Sequence, residues 1–286
     1  MSGPATHGTL YIVATPIGNL EDMTYRAVRI LKEADLIACE DTRQTRKLLD
    51  HYAIEKPAIS YHEHNEAERA RQLIDKLQQG LTIAQVSDAG MPGISDPGYR
   101  VVKLAIEHGI RVVPVPGSSA VITALAASGL PTDAFEFRGF LPAKSGQRRT
   151  ALEQMRDLQH TMIVYEAPHR ITETLEDMVV ILGADRLVVI ARELTKLHEE
   201  FIRGTASQVL ERIRGREVKG EITLLIGKAE SKHASAAATN LRARVEALMR
   251  EQKLDEKSAL KALARETGLS KSELYRELQR ADRRKR

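Results

Sequence analysis

The sequence predicts an α/β protein with two sheet-bearing blocks in tandem and a small basic helical module behind them. Three observations carry this. Short apolar, β-branched runs alternate with stretches of helical period through the first 115 residues, the pattern of βαβ units and a largely parallel sheet. The alternation resumes after the segment PVPGSS, but strand signals crowd together around 192–203, which predicts an antiparallel pair and a mixed second sheet. A small, polar stretch then gives way to amphipathic segments with no strand signal at all.

Taken in order, the first block places strands at 10–15, 36–39, 58–61, 82–86 and 111–115. Asn65 and Glu68 form a candidate capping box ahead of ERARQLIDKL, and Pro97 suits the first turn of a helix that stops before Gly109. The second block places strands at 135–140, 161–165, 187–191, 200–203 and 222–226, with helices at 118–127, 147–158, 168–182 and 206–213. In the tail, Leu241, Val245, Leu248 and Met249 share one helical face, and Ala259, Leu260, Leu263 and Ala264 share another. Gly268 then breaks the chain, and Ser270 with Glu273 caps a third helix carrying Leu274 and Leu278. The spacing resembles a helix-turn-helix, although Glu277 stands where that motif wants an apolar residue. A plain three-helix packing or dimerisation element is the alternative. The resulting organisation is 1–116 and 117–229 for the two α/β domains, 230–239 for a linker and 240–286 for the basic helical module.

Charge and cysteine content narrow the function classes. Residues 240–286 carry 14 Lys and Arg against 8 Asp and Glu, while the rest of the chain carries 29 against 31. The cationic character therefore belongs to the tail and points to a polyanionic partner or to a solvated surface. The apolar run 10–14 is too short for a signal peptide or a membrane span. With one cysteine, Cys39, inside the apolar string LIAC, no internal disulfide forms, and a cytoplasmic setting is expected. A small buried side chain suits Cys39 better than a nucleophile does. His62 and His64 lack a metal-ligand pattern, so no metal is expected.

Ligand chemistry in an open α/β sheet lies beyond the carboxyl ends of its strands. Three loops there combine Gly and Pro with small hydroxyl residues: TPIGNLED at 15–22, SDAGMPGISDPG at 87–98 and PGSSA at 116–120. Tight turns account for any one of them. All three together predict a shared cleft in which backbone amides meet a ligand closely. No GxGxxG follows the first strand and no GxxxxGK[ST] occurs, so neither a dinucleotide nor ATP is supported.

The strings LYIVATPIGNLEDMTYRAV, ACEDTR, VSDAGMPGISDPG, VPVPGSSAVITALAASGLP, GFLP, YEAPHR and GEITLLIGK resemble the tetrapyrrole-methylase superfamily, and within it the branch that modifies ribosomal RNA. The resemblance spans about residues 8–228 and extends to the tail. It implies a tetrapyrrole-methylase-like fold with S-adenosylmethionine held between two α/β domains, and a homodimer. It further implies methylation of a ribose 2′-oxygen, that of cytidine 1402 in the decoding region of 16S rRNA. By motif position it implies cofactor contacts at Pro16, Ile17, Asp88, Ala89, Gly90, Met91, Ile94, Ser118 and Ser119, and from the second domain at Tyr165, Ala191, Glu221 and Thr223. The string TPIGN stands where the tetrapyrrole-modifying members carry a glycine-rich loop, which argues against a porphyrin substrate.

Residue chemistry adds roles beside that carry-over. Asp88 suits hydrogen bonds to the cofactor's ribose or amino group, or the capping of its own loop. A ribose hydroxyl is a weak nucleophile and calls for a general base or electrostatic help. The candidates on the motifs are Glu40, Asp41, Lys144, Glu166 and His169, with His169 favoured for substrate positioning or helix entry over a base. Arg43, Arg46, Lys47, Lys144, Arg148, Arg149 and Arg170 flank these motifs and suit RNA phosphates, on free 16S rRNA or on the small subunit. Aromatic residues make up 4% of the chain, so phosphate contacts rather than base stacking are expected to dominate. A tetrapyrrole methyltransferase and a ligand-sensing DNA-binding regulator are the rival classes.

Overall fold

Ten strands form two five-stranded sheets in the computed structural model, which describes residues 7–229, 244–250, 254–267 and 274. The chain divides into two units, Met1–Gly227 and Lys228–Arg286, and both sheets lie in the first.

The first sheet is wholly parallel, with the order β3-β2-β4-β1-β5. Its strands are β1 (Thr9–Val13), β2 (Leu36–Cys39), β3 (Ala58–Ser60), β4 (Ile83–Val86) and β5 (Arg111–Val115). The twofold period of a strand sorts its side chains to opposite faces. Leu10, Ile12, Leu36, Ala38 and Ile83 pack beneath α3 (Glu66–Gln78) and α4 (Tyr99–Glu107). Val13, Ile37, Cys39, Ala84 and Val86 pack beneath α1 (Tyr25–Glu33) and, through Leu49, α2 (Thr42–His51). Burial on both faces explains the near-continuous apolar runs. Cys39 is fully buried, its thiol donates to the Ile59 carbonyl at 3.5 Å, and burial raises its pKa.

Three local expectations need correction. β1 ends two residues early because Thr15 leaves the sheet to bridge Gly90. The Asn65 side chain does not cap α3: its oxygen accepts from the His62 amide at 2.9 Å and its nitrogen donates to the Ser60 carbonyl, stabilising the preceding turn. Pro97 lies outside α4, and its carbonyl accepts from the Gln85 side chain at 3.0 Å.

The second sheet has the order β6-β7-β10-β8-β9. Its strands are β6 (Phe135–Phe140), β7 (Thr161–Glu166), β8 (Leu187–Arg192), β9 (Glu200–Thr205) and β10 (Ile222–Ile226). Only β6 and β7 run parallel, and β8 pairs antiparallel with β9 as the crowded strand signals require. One face packs against α6 (Ser145–Met155), α7 (Ile171–Ile181) and α8 (Ala206–Ile213). A 3-10 turn, Pro168–Arg170, occupies what the sequence reads as the first turn of α7. The opposite face, with Ile163, Val189, Ala191 and Leu225, receives α5 (Ala120–Ser128) and also Ile17 from the loop after β1. The two sheets therefore share a core at this point.

Thr205 begins α8 with a reciprocal capping box: its hydroxyl accepts from the Gln208 amide, and the Gln208 side chain accepts from the Thr205 amide. Thr205→Ala should cost about 1 kcal/mol, read as a lower unfolding midpoint in denaturant at unchanged slope.

In the second unit, residues 244–250 are helical and a further helix spans Glu256–Thr267. Val245, Leu248, Ala259, Leu260, Leu263 and Leu274 form one apolar cluster, with Met249 and Ala264 against it. The readings at Leu241, Gly268, Ser270, Glu273, Glu277 and Leu278 lie outside the described residues. No described helix is long and apolar enough to cross a membrane.

Candidate active site

The three Gly-rich loops converge at Gly90. Thr15 and Gly90 exchange backbone hydrogen bonds of 2.9 and 3.0 Å, and the Thr15 hydroxyl donates to the Ser87 carbonyl at 3.0 Å, so the first two loops are zipped together. Gly90 has φ of +78°, and a Cβ there would meet Ile17 at 3.6 Å and the Ser118 carbonyl at 3.8 Å. Gly117 lets the third loop approach β1, since an added Cβ would lie 2.9 Å from that of Ala14. The positive φ and the close approach explain why glycine stands at each position.

Beyond this junction a cavity of about 370 Å³ opens between the loops of the first sheet and the strand ends of the second. Of the residues read as cofactor contacts, Ile17, Ala89, Ile94, Tyr165, Ala191, Glu221 and Thr223 line it. Pro16 and Asp88 line an adjoining groove of about 420 Å³ that shares Ile17, Ala89 and Glu221 with the cavity. The structure does not bring Met91, Ser118 and Ser119 onto either wall. Met91 packs against the core of the first sheet, and the Ser119 hydroxyl caps α5 by accepting from the Ile122 amide.

The candidate catalytic residues separate physically. Glu166 borders the cavity, but its carboxylate is wholly buried and points away. It accepts from the Arg170 guanidinium, from the Thr174 hydroxyl at 2.7 Å and from the Ala167 amide at 2.8 Å. Its oxygens are committed to structure, and the reading of Glu166 as a base is corrected on that ground. Strand parity carried a warning: Glu166 shares its face of β7 with Met162 and Val164, which belong to the helix-covered core. Asp41 caps α2 and pairs with Arg43 at 2.9 Å, hydrogen bonds that hold its pKa below the ordinary value. Glu40 follows β2 half-buried, with its pKa raised by burial and by Asp88 and Glu63. Lys144 and His169 are exposed and line neither space.

Two of the proposed phosphate ligands also need correction. Arg148 is buried, with its Nε 2.7 Å from Asp177 and its Nη1 donating to the Ala143 carbonyl. Arg170 is spent on Glu166 and on the Leu141 carbonyl. Arg43, Arg46, Lys47 and Arg149 remain exposed, with Lys47 on the wall of the groove.

Sequence reading passed over Asp96 and Phe140. Asp96 lines the cavity, and burial, reinforced by Glu40, pushes its pKa up to about 6. Phe140 lines the same cavity at 59% exposure and packs against Tyr165, which stands between it and Phe137. The Tyr165 pKa is raised by burial, then by Asp96 and Glu221. The lining contains Asp96, Glu166 and Glu221 and no Lys, Arg or His. Such a wall suits an apolar ligand with a positive centre and not a polyphosphate. Among the described residues, no group of three or more His, Cys, Asp or Glu is arranged to hold a metal.

Comparison with known proteins agrees with this geometry. The sequence profile of the family described as Tetrapyrrole (Corrin/Porphyrin) Methylases matches residues 9–210. Ribosomal RNA small subunit methyltransferase I of Halalkalibacterium halodurans is 58% identical over 77% of this chain and 75% of its own. The protein of the same name from Synechocystis is 48% identical over 94% and 96% respectively. Among solved structures, uroporphyrin-III C-methyl transferase from Thermus thermophilus complexed with S-adenyl homocysteine superposes with a TM-score of 0.55 at 20% identity, covering 78% of this chain and 98% of that one. On sequence, fold and the loops that build the cleft, this chain belongs to the tetrapyrrole methylase family, within its ribosomal RNA small subunit methyltransferase I branch.

Proposed function

We infer that the protein is an S-adenosylmethionine-dependent methyltransferase of ribosomal RNA, and that its target is the ribose 2′-oxygen of a cytidine in the decoding region of 16S rRNA. The observation that carries the reading is the cavity itself, apolar, bordered by carboxylates and free of cations on its wall. S-adenosylmethionine fits that donor set, since it pairs an apolar adenosyl body with a positive sulfonium. Ile17, Ala89, Tyr165, Ala191, Glu221 and Thr223 would hold it, and bound there it supplies a methyl group activated by the positive sulfur.

The remaining chemistry belongs to the chain. The zipped loops fix the cavity wall before substrate arrives, so the positional entropy of the reacting groups is met in advance. Phe140 offers a nucleoside an exposed aromatic face at the cavity, worth about 1–3 kcal/mol for a stacked base. One ring at the cavity is compatible with the low aromatic content, and phosphate contacts still carry most of the RNA binding in this reading. Arg43, Arg46, Lys47, Lys144 and Arg149 lie on the exposed surface, where phosphate contacts require them. We take the working unit to be a homodimer acting on 16S rRNA, free or within the small subunit.

The test offers methyl-labelled cofactor with unmodified 16S rRNA, assembled small subunits or a porphyrinoid. Label is expected in RNA, at a cytidine whose 3′ linkage resists alkaline hydrolysis because its 2′-oxygen is blocked. Label in the porphyrinoid alone, or in no RNA, overturns the reading.

A further inference from the structure

Three acidic residues border the cavity, but the Glu166 carboxylate is turned away from it and Glu221 is already engaged. Glu166 serves Arg170 and Thr174. Glu221, 76% exposed, pairs with Lys196 at 3.0 Å. Asp96 has no cationic partner among the described residues, and its immediate company is the Ser87 hydroxyl and the carboxylates of Glu40 and Asp88. We propose that Asp96 is the catalytic residue that accepts the proton of the attacking hydroxyl. The proposal rests on the methyl-transfer reading above and adds the base which that reading leaves unnamed.

Position favours Asp96 over the other candidates. It stands on the first-sheet side of the cavity, while Phe140 and Tyr165 line the side contributed by the second block. A base stacked on Phe140 would bring its ribose to the same cavity that Asp96 lines. The loop that carries Asp96 is held from both sides. The Gln85 side chain donates to the Pro97 carbonyl at 3.0 Å, and the Glu66 carboxylate accepts from the Gly98 amide at 3.2 Å and from Arg100 at 3.1 Å. Ser95 sits beside it at φ of +61°, an unfavourable conformation for a side-chain-bearing residue that this frame sustains. Such bracing is what a base needs to meet a hydroxyl at hydrogen-bond distance.

In the step, Asp96 takes the hydroxyl proton as the oxygen–methyl bond forms and the methyl–sulfur bond breaks. The sulfur keeps the bonding pair and becomes a neutral thioether, and the protonated Asp96 then returns its proton to water. Burial, reinforced by Glu40 and more weakly by Asp88, pushes the carboxyl of Asp96 up to about 6, which gives it useful proton affinity while leaving it ionised at neutrality.

Asp96→Asn and Asp96→Glu in the full chain test this by single-turnover methyl transfer to unmodified small subunits or 16S rRNA. With S-adenosylmethionine saturating, the wild-type rate should climb about tenfold per pH unit and level off below the ligand-free value of about 6, because the bound sulfonium lowers the pKa of Asp96. Asp96→Asn should lose about 100-fold or more and flatten the profile, and Asp96→Glu should restore part of the rate. A second readout needs no turnover. S-adenosylhomocysteine, which lacks the sulfonium charge, should bind Asp96→Asn within about twofold of wild type by calorimetry. S-adenosylmethionine should release protons near pH 6 from wild type but not from Asp96→Asn, because a nearby positive charge favours the ionised carboxylate. A wild-type-like rate in Asp96→Asn overturns the proposal. So does a tenfold loss of S-adenosylhomocysteine affinity with the transfer rate intact at saturation, since Asp96 would then hold the cofactor. Failure of the wild type to methylate RNA sinks the parent reading instead, and equal proton release from wild type and Asp96→Asn then removes Asp96 from the donor's side as well.

Discussion

Asp177→Ala should destabilise the first unit by about 3–5 kcal/mol, the cost of leaving a buried charge without its partner. The Asp177 and Arg148 side chains are 4% and 2% exposed, and they meet at 2.7 Å between α6 and α7. Asp177 also accepts from Arg149 at 2.6 Å, so its carboxylate joins two guanidiniums of one helix. Burial pushes its pKa up, but the hydrogen bonds and charges of Arg149 and Arg148 outweigh that and hold it below the ordinary value. Once Asp177 is gone, Arg148 keeps only the Ala143 carbonyl and the mostly exposed Glu173 at 3.4 Å. In a unit of this size the loss should appear as a fall of roughly 6–20 °C in melting temperature.

Two accompanying measurements separate this mechanism from a general packing defect. Arg148→Met should cost less than Asp177→Ala, because Asp177 retains Arg149. The double variant Arg148→Met, Asp177→Leu should recover most of the loss, since an apolar pair of similar volume needs no mutual neutralisation. The pH dependence has a fixed sign. A carboxyl whose folded pKa is depressed contributes stability above its unfolded value, about 3.9, and loses it as the pH falls through the folded value. The difference between wild type and Asp177→Ala should therefore narrow in acid. A variant that melts like wild type at neutral pH would show that the pair contributes nothing.

Ala191→Phe should abolish cofactor binding, lowering affinity for S-adenosylhomocysteine by about 100-fold or more. Ala191 is fully buried on β8, paired with Thr223 of β10, and lines the cavity. A phenyl ring there would project into the empty volume. Overpacking typically costs about 1–3 kcal/mol, so the protein should still fold cooperatively. Calorimetry on the folded variant reads the outcome directly. Retained affinity would mean that the cofactor lies elsewhere, with the adjoining groove around Asp88 and Lys47 the next place to look.

Arg148 and the loop residues differ in how far the sequence foretells their surroundings. Ile17, Ala89, Ile94, Tyr165, Ala191, Glu221 and Thr223 were assigned through motif position, and the folded chain gathers them around one space. Arg148 is grouped with the phosphate-binding cations because it follows GFLP together with Lys144 and Arg149. A signal was nonetheless present, since Arg148, Leu152 and Met155 recur at helical spacing and all three are buried on α6. Asp96 gave no such signal. In the string ISDPG it reads as turn chemistry, and only the folded chain half-buries it beside Glu40 and Asp88 and so raises its pKa.

By itself the sequence determined the elements, their order and the parallel and mixed character of the two sheets, because period, punctuation and apolar runs are local properties of the chain. It also located the Gly-rich loops, whose residues are dictated by backbone geometry within a few positions. The tertiary structure alone decided which carboxylate stayed free, which arginine was buried and which aromatic ring faced the cavity. Burial, ion pairing and desolvation depend on groups brought together from positions such as Arg148 and Asp177, 29 residues apart, and no local pattern encodes that meeting.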